Sequence, residues 1–487
     1  MQSDVDEGMG HLRAGRWNEG AACMERALAT APGFAEAWGN LGYALRELGR
    51  FDEAREALER AVRLKPELAE AWNLLGLVEQ ARNRHDAAHP CFTRAIEMLP
   101  RFAYAWMNRA NSDFELGRRE EALAGYSRSL ALDPNHPATH CNVGYVHQTA
   151  GEIDAAMAHY REAVRIDPAS ATCHRYLSNA LFLEGRFEEA WREYGWRQSR
   201  QDHLAQLGQA GIAYGVPQRS AIGNRRITIV GEQGLGDNLF FLRFVPALRA
   251  LGASLAYAGD PRLHGMLART GHFEALLQRA PMGRIPDEPA ILAGDLALLF
   301  PEHAGLAPAP PLALTPDASR VARARERLRA FGPPPHIALT WRAGAPQAGF
   351  ARLVKEISPR MLGQSLRGIR ATWIAVQRDP RPDEMAALAD GLGSAVHDQG
   401  VVNADLEDAL ALMAAVGDYV GVSNTNMHLR AGVSPAGRVL VPFPEWRWMA
   451  RGVSPWFPGF SVYRHARGPG WAPALQRLAA DLQGAPR

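Results

Sequence analysis

Ile227 to Phe244 reads ITIVGEQGLGDNLFFLRF, and this stretch decides what the C-terminal half of the chain is. Ile227-Thr228-Ile229-Val230 is a short β-branched run of the kind that forms a buried strand. The run breaks at Gly231, crosses Glu232-Gln233-Gly234-Leu235-Gly236 and restarts as a helix at Asp237-Asn238, with Leu239, Phe240, Leu242, Phe244 and Val245 available for packing. Strand, glycine turn and helix start follow one another. Glycines at 231, 234 and 236 allow a sharp turn and a close backbone approach to a ligand, and the N–H groups of a helix start favour an anion. The pattern is not GxGxxG, and it sets an acid at the helix start. Asp237 is either an N-cap for its own helix or a carboxylate aimed into a cleft.

Working outward, the second half continues as two strand–helix series. The first holds a helix from Asp237 to about Arg249, a strand Ser254–Ala258, a helix near Leu263–Thr270 and a buried strand Asp295–Phe300. A Pro/Ala-rich bridge covers Pro301–Pro316, and a helix covers Arg320–Phe331 before Pro333-Pro334-Pro335. The second series has strands at Ile337–Trp341, Thr372–Val376, Tyr419–Val422 and Val439–Val441, with helices at Leu406–Ala415 and Trp471–Leu482. Strands alternating with helices imply parallel sheets, with ligands at the carboxyl ends of the strands. Two series joined by a bridge imply two Rossmann-like lobes with a cleft between them.

The first 200 residues are different. Trp38, Trp72 and Trp106 recur every 34 residues, and His140 and His174 continue the series. Gly8, Gly42, Gly76, Ala110, Gly144 and Ser178 keep the same step, as do alanines from Ala54 to Ala190 and prolines from Pro32 to Pro168. Small residues let paired helices cross closely, and each proline ends a helix because it cannot continue one. Pro90 falls inside an expected helix and predicts a kink. This array, AEAWGNLGYALRELGRFDEAREALERAVRLKP at Ala35–Pro66 above all, resembles the tetratricopeptide family of helix–turn–helix repeats. The resemblance covers about Met1–Arg197 in roughly six copies. It implies a concave surface for extended peptides or partner proteins. The sixth position of each repeat lines that surface in the family, and here it holds Asn40, Leu74, Asn108, Asn142 and Tyr176. The three asparagines are expected to contact a peptide backbone, as in the superhelix of the protein O-linked N-acetylglucosamine transferases. The array's exposed faces also permit self-association.

Composition bounds the rest. With 487 residues the chain suits two or three domains. Its net charge is +2 and it has no basic run, which argues against nucleic acid as the main partner. No eighteen-residue apolar segment and no signal core occur, so a transmembrane segment is not expected and a cytoplasmic protein is. Cys23, Cys91, Cys141 and Cys173 form no CxxC and read as buried free thiols, with no metal site. Among 54 basic residues, Lys65 and Lys355 are the only lysines, which draws notice to their compact charge.

The order GEQGLGDNLFFLRF, TWRAG, VSNTNMHL, PFPEWRW resembles the heptosyltransferase-like glycosyltransferases of GT-B fold, in the form fused behind tetratricopeptide repeats in bacteria. The resemblance covers roughly Arg226–Leu482. It implies an α-solenoid (1–197), a connection (198–224), an acceptor-side lobe (225–315), a bridging helix (316–335) and a donor-side lobe (336–487). It implies a nucleotide-sugar donor as co-substrate, no cofactor and no metal, and inversion at the anomeric carbon. Asp237 takes the family's general-base position, with Glu232 as runner-up and Gly234, Gly236 and Asn238 completing the acceptor-side loop. The family's Asp-Thr-x-x-x-His-Leu motif falls on Ser423 to Leu429. It implies donor contacts by Ser423, Asn424, Thr425, Met427 and His428, although Ser423 stands where the family has an acid. Arg342 and Lys355 are the expected cations for the diphosphate, since charge develops on the leaving phosphate. Glu445-Trp446-Arg447-Trp448 and Pro455-Trp456-Phe457 read as packing between lobes or as a stacking surface. The expected function is sugar transfer to a serine or threonine of a protein recruited by the repeats, with flagellin or another surface protein as candidate acceptor. The alternatives are a non-catalytic scaffold with a degenerate transferase fold, and a transferase acting on a glycan or lipid.

Overall fold

The computed structural model describes residues 2–209, 216–278, 290–305, 307–343, 355–442, 445–466 and 470–484. They form two compact units, one of residues 2–148 and 154–168, the other of residues 149–153 and the described residues from 169 onward.

The first unit is a helical repeat solenoid. Its hairpins pair Gln2–Arg13 with Trp17–Thr30, Ala35–Glu47 with Phe51–Leu64, Ala69–Ala81 with His85–Met98, Ala103–Glu115 with Arg119–Leu132, and Pro137–Thr149 with Ile153–Ile166. The 34-residue step has a physical cause in each part. The hairpin turn needs a left-handed residue, and Gly15, Gly49, Gly117, Gly151 and Gly185 supply it, with Asn83 (φ 59°) filling the same place in the third copy. The small position lets a neighbour in: a Cβ on Gly76 would lie 2.5 Å from Phe92 Cε1. The aromatic position fastens the incoming proline corner. Trp38, Trp72 and Trp106 donate their indole N–H to the carbonyls of Pro32, Pro66 and Pro100 at 2.9, 2.8 and 3.0 Å. His140 Nε2 meets the Pro134 carbonyl at 3.1 Å, which explains why histidine can take the tryptophan's place. The helix His85–Met98 runs on through Pro90 without interruption.

The second unit opens with one more hairpin, Ala171–Leu183 and Phe187–Tyr194, followed by a helix Gln198–Gln209 in what the sequence suggested was only a connection. Two parallel sheets follow. The first has β1 (Arg226–Val230), β2 (Ser254–Gly259), β3 (Ala275–Gln278) and β4 (Ala290–Leu292), in the order β3-β2-β1-β4. The next two strands, β5 (His336–Leu339) and β6 (Arg342–Ala343), are followed by β7 (Lys355–Glu356), and β6 and β7 form a small antiparallel ribbon. With β8 (Thr372–Ala375), β9 (Val396–Asp398), β10 (Asp418–Val422), β11 (Gly437–Val441) and β12 (Phe460–Arg464), the second sheet runs β12-β11-β10-β5-β8-β9, all parallel. Both sheets reverse direction beside their first strand, the first between β1 and β4 and the second between β5 and β10. In doubly wound sheets a crevice opens at the carboxyl ends of the strands at that reversal.

Two expectations are corrected. Asp295–Phe300 is not a strand: Ala293–Asp295 is a 3-10 turn and Leu296–Leu299 a helical turn, while β4 lies just before them. A short apolar run cannot be assigned by periodicity alone. The helix after β1 begins at Leu235 with Gly234 at its N-cap, so Asp237 lies in the first turn and is not the cap. No helix among the described residues is long and apolar enough to cross a membrane.

Candidate functional site

At the reversal of the first sheet, the loop after β1 faces the turn after β4. The Glu232 side chain is 1% exposed. One of its oxygens, Oε1, accepts from Gly294 N–H at 3.0 Å and from Arg197 Nη2. The other, Oε2, accepts from Arg197 Nε at 3.2 Å and Ser199 Oγ at 3.0 Å. Arg197 also donates to Asp295 Oδ1 at 2.7 Å, and Arg200 to Asp295 Oδ2 at 3.0 Å. Burial opposes the charge on Arg197, but Asp295 and Glu232 outweigh it and hold the guanidinium firmly protonated. Gln233 and the Tyr194 hydroxyl exchange hydrogen bonds at 2.7 and 3.0 Å. Both oxygens of Glu232 are therefore consumed by structure, which corrects its expected place as a candidate base.

Aromatic packing carries the same junction. Trp191 donates to the Ala304 carbonyl at 2.7 Å. Phe182 stacks on Trp446 at 4.6 Å, and Tyr194 lies 5.8 Å from Phe241. The WRW and PWF aromatics are thus packing core, with Trp448 and Trp456 fully buried.

Asp237 behaves differently. Its side chain is 34% exposed, and its Oδ1 accepts from Arg447 Nη2, which comes from the segment after β11. Arg447 also donates from Nη1 to Glu445 Oε1 at 3.1 Å and lies over the Trp446 ring at 4.4 Å. Glu445 accepts from Ser423 Oγ at 3.2 Å on Oε1 and pairs with Lys355 Nζ at 3.1 Å on Oε2. Burial pushes the Glu445 carboxyl up, but Lys355 and Arg447 outweigh it and hold it below the usual range. A Cβ on Gly236 would lie 2.9 Å from His428 Cδ2. That glycine therefore makes room for the protein's own imidazole, and Gly231, Gly234 and Gly236 do not take positive φ. His428 is buried, and its proton affinity is driven well down by burial first, then by Arg447, Arg243 and Lys355, so it is neutral near pH 7.

Arg243 was missed in the sequence. It is 1% exposed and, among the described residues, donates to carbonyls, from Nε to Phe240 at 2.9 Å and from Nη1 to Trp456 at 3.1 Å and Ala309 at 3.2 Å. Its Nη2 has no hydrogen-bond partner among the described residues. Burial, then Arg447, draws its pKa down to about 9. Arg447 and Glu445 were read only as part of an aromatic cluster. The signal that marks them is the alternation of charge with tryptophan just past the end of β11, where a ligand crevice is expected.

The other expected donor residues divide. Ser423 lies in the cluster, and Thr425 opens the helix Thr425–Val433 half-exposed. Asn424 caps that helix, accepting from Met427 N–H at 3.1 Å and from Tyr419 hydroxyl at 3.1 Å while donating to Thr340 Oγ1 at 3.0 Å. The Met427 side chain is fully buried in the core, which corrects its expected donor contact. Arg342 is corrected too: its guanidinium holds Glu384 at 2.9 and 3.2 Å and the Asp379 carbonyl at 2.5 Å, so it is engaged away from the cluster. Asn238 is buried and donates to the Gln233 and Gly234 carbonyls at 2.9 and 3.3 Å, bracing the turn.

In the repeat array, Asn108 is buried and donates to Asn73 Oδ1 at 3.0 Å, and Asn142 donates to Asn111 Oδ1 at 2.9 Å. These amides join successive hairpins, a correction to their expected peptide contact; Asn40 is half-exposed. Glu7, His11 and Cys23 bring possible ligand atoms within 4.8 Å of one another. The Arg26 guanidinium already lies against Cys23 Sγ at 3.2 Å and Glu7 at 3.3 Å.

Residues 5–69 and 101–169 match the sequence profiles of the tetratricopeptide repeat. The chain is 29% identical over 281 residues to the protein FlbA of Caulobacter vibrioides, covering 53% of this chain and 46% of the relative. The chain thus spans about half the length of that curated relative. Among solved structures, a thermophilic TPR protein of Thermus thermophilus aligns at 23% identity with a TM-score of 0.33, over 37% of this chain and 98% of its own. PilF of Pseudomonas aeruginosa aligns at 16% identity with a TM-score of 0.37, over 42% of this chain and 96% of its own. The N-terminal region is a tetratricopeptide protein-interaction module, and an α/β region with parallel sheets follows it.

Proposed function

We propose that the chain is an inverting, metal-independent glycosyltransferase of GT-B type that modifies a protein acceptor recruited by its repeats. The observation that carries this reading is the meeting of Asp237, at the carboxyl end of one parallel sheet, with Arg447, Glu445 and Lys355 at the carboxyl end of the other. An acid and a set of cations at facing strand ends suit a single displacement. The acceptor hydroxyl oxygen forms a bond to the anomeric carbon as its proton passes to the Asp237 carboxylate. The bond from that carbon to the phosphate oxygen breaks with inversion, and the departing nucleoside diphosphate takes the electron pair. Arg447, Lys355, Thr425 and the N–H groups of the helix start stabilise that charge as it grows. Asp237 is within reach of solvent, as a base that meets an incoming hydroxyl must be.

A thermal-shift screen against nucleotides and nucleotide sugars tests the donor pocket, because a ligand of the folded state raises the melting point by mass action. The nucleotide that shifts the protein is then the donor for transfer assays on candidate acceptors. Asp237→Ala is expected to abolish transfer while leaving acceptor binding intact. A second reading, a scaffold that binds partners without turnover, draws on the uncharged Ser423 and on the engagement of Asp237 by Arg447. No shift across the panel, repeated by calorimetry, would replace the transferase reading with the scaffold. Removing residues 1–168 tests recruitment: unchanged transfer to the natural acceptor would rule it out.

A further inference from the structure

We propose that Arg447 is an exchange residue, which clasps Asp237 and gives it up to a ligand bearing a diphosphate. The inference rests on the transferase reading and concerns how the same crevice is regulated.

Three cations, Arg243, Lys355 and Arg447, gather around His428, against the two carboxylates of Asp237 and Glu445. The imidazole is neutral, so the cluster carries one positive charge more than it can cancel. That surplus sits in buried side chains. Arg447 is 7% exposed with its Nε unpartnered, and Arg243 is 1% exposed with its Nη2 unpartnered among the described residues. Both act electrostatically on His428, which lies in the first turn of the nine-residue helix Thr425–Val433. An anion with more than one charge fits this arrangement better than a single carboxylate does.

The clasp is also asymmetric. Arg447 is held in place by Glu445 and by the Trp446 ring, and its side chain is 9% exposed, against 34% for Asp237. When the partners change, the carboxylate is the one free to move. A diphosphate at Arg447 therefore displaces Asp237 toward solvent, where it is open to an acceptor hydroxyl. Base and donor become linked: Asp237 stays bonded to Arg447 until the anion takes its place, so the donor enters first.

The linkage is reciprocal, which makes it measurable without turnover. Inorganic pyrophosphate is titrated calorimetrically into the full-length protein and into Asp237→Asn, with melting curves to establish that both are folded. Removing the competing carboxylate is expected to tighten pyrophosphate binding about tenfold, the scale of a close charge pair. Arg447→Met is expected to abolish it. Asp237→Ala gives the same readout without an amide that can itself bond to Arg447. Equal or weaker binding by both Asp237 variants, with binding by the parent intact, would overturn the exchange and leave the donor crevice standing. Failure of the parent and of both Asp237 variants to bind would overturn both.

Discussion

The two parallel sheets wind alike, yet their reversal points are furnished in opposite ways. At the first, Glu232 and Asp295 are closed over by Arg197 and Arg200, and the buried Glu232 carboxylate is fully bonded. At the second, the cluster of Ser423, Glu445, Lys355, Arg243 and Arg447 leaves, among the described residues, unpartnered guanidinium donors on Arg447 and Arg243 and a surplus of positive charge. The same topology offers a crevice twice. The chain fills one with its own last repeat and keeps the other chemically unsatisfied. The two crevices thus differ in side-chain pairing, not in winding.

The largest test removes the filling. Arg197→Met removes the cation shared by two buried carboxylates and is expected to cost about 3–5 kcal/mol of unfolding free energy by urea titration. A loss below about 1 kcal/mol would show that the first crevice is not structurally closed. Next, Gly236→Ala drives a Cβ against His428 and is expected to cost about 1–3 kcal/mol. A neutral result would mean that the two strand ends are not held together there. A third test uses pH. The unfolded chain binds a proton at His428 near pH 6.5, the folded chain only at lower pH. Stability therefore falls as pH drops below about 6.5, by at most about 1.4 kcal/mol per pH unit for this group. His428→Asn should flatten the curve relative to the parent. His159, drawn down to about 4 by burial and then by His140 and His147, titrates in both proteins and cancels in the difference. Parallel curves would place His428 outside the cationic cluster. Fourth, Asp237→Asn should cost less than about 1 kcal/mol, because a part-exposed ion pair contributes little to stability. A loss as large as that of Arg197→Met would erase the contrast between the crevices. The smallest effect is expected at Gly234→Ala, within about 0.5 kcal/mol, since only Asp237 Oδ2 at 3.6 Å lies near the added methyl.

The sequence made the repeats legible because their causes recur: a left-handed turn residue, a small crossing residue and an indole clasp, each at a fixed step. Strands β1, β2, β5, β8, β10 and β11 were legible as β-branched or apolar runs bounded by polar turns. β9, Val-His-Asp, and β12, Phe-Ser-Val-Tyr-Arg, lack such a run and are made strands by their neighbours in the sheet. Asp237 was legible through the turn that precedes it. Arg243 was not, because a lone arginine in an apolar helical stretch looks like any amphipathic cation. Its burial against three carbonyls is a tertiary fact. Arg342 misled for the converse reason: it follows a strand at the expected crevice, but Glu384, 42 residues away, claims it. Pairings of that range leave no local trace.

The hairpin Ala171–Tyr194 obeys the repeat pattern but packs with the α/β unit. It is a repeat by its sequence step and a part of the α/β unit by its contacts. Grafting a foreign array onto the chain at Pro168 keeps that hairpin whole and exchanges only the residues upstream of it. The same graft at Arg197 discards the hairpin, and with it the Trp191 bond to Ala304 and the Tyr194 bonds to Gln233.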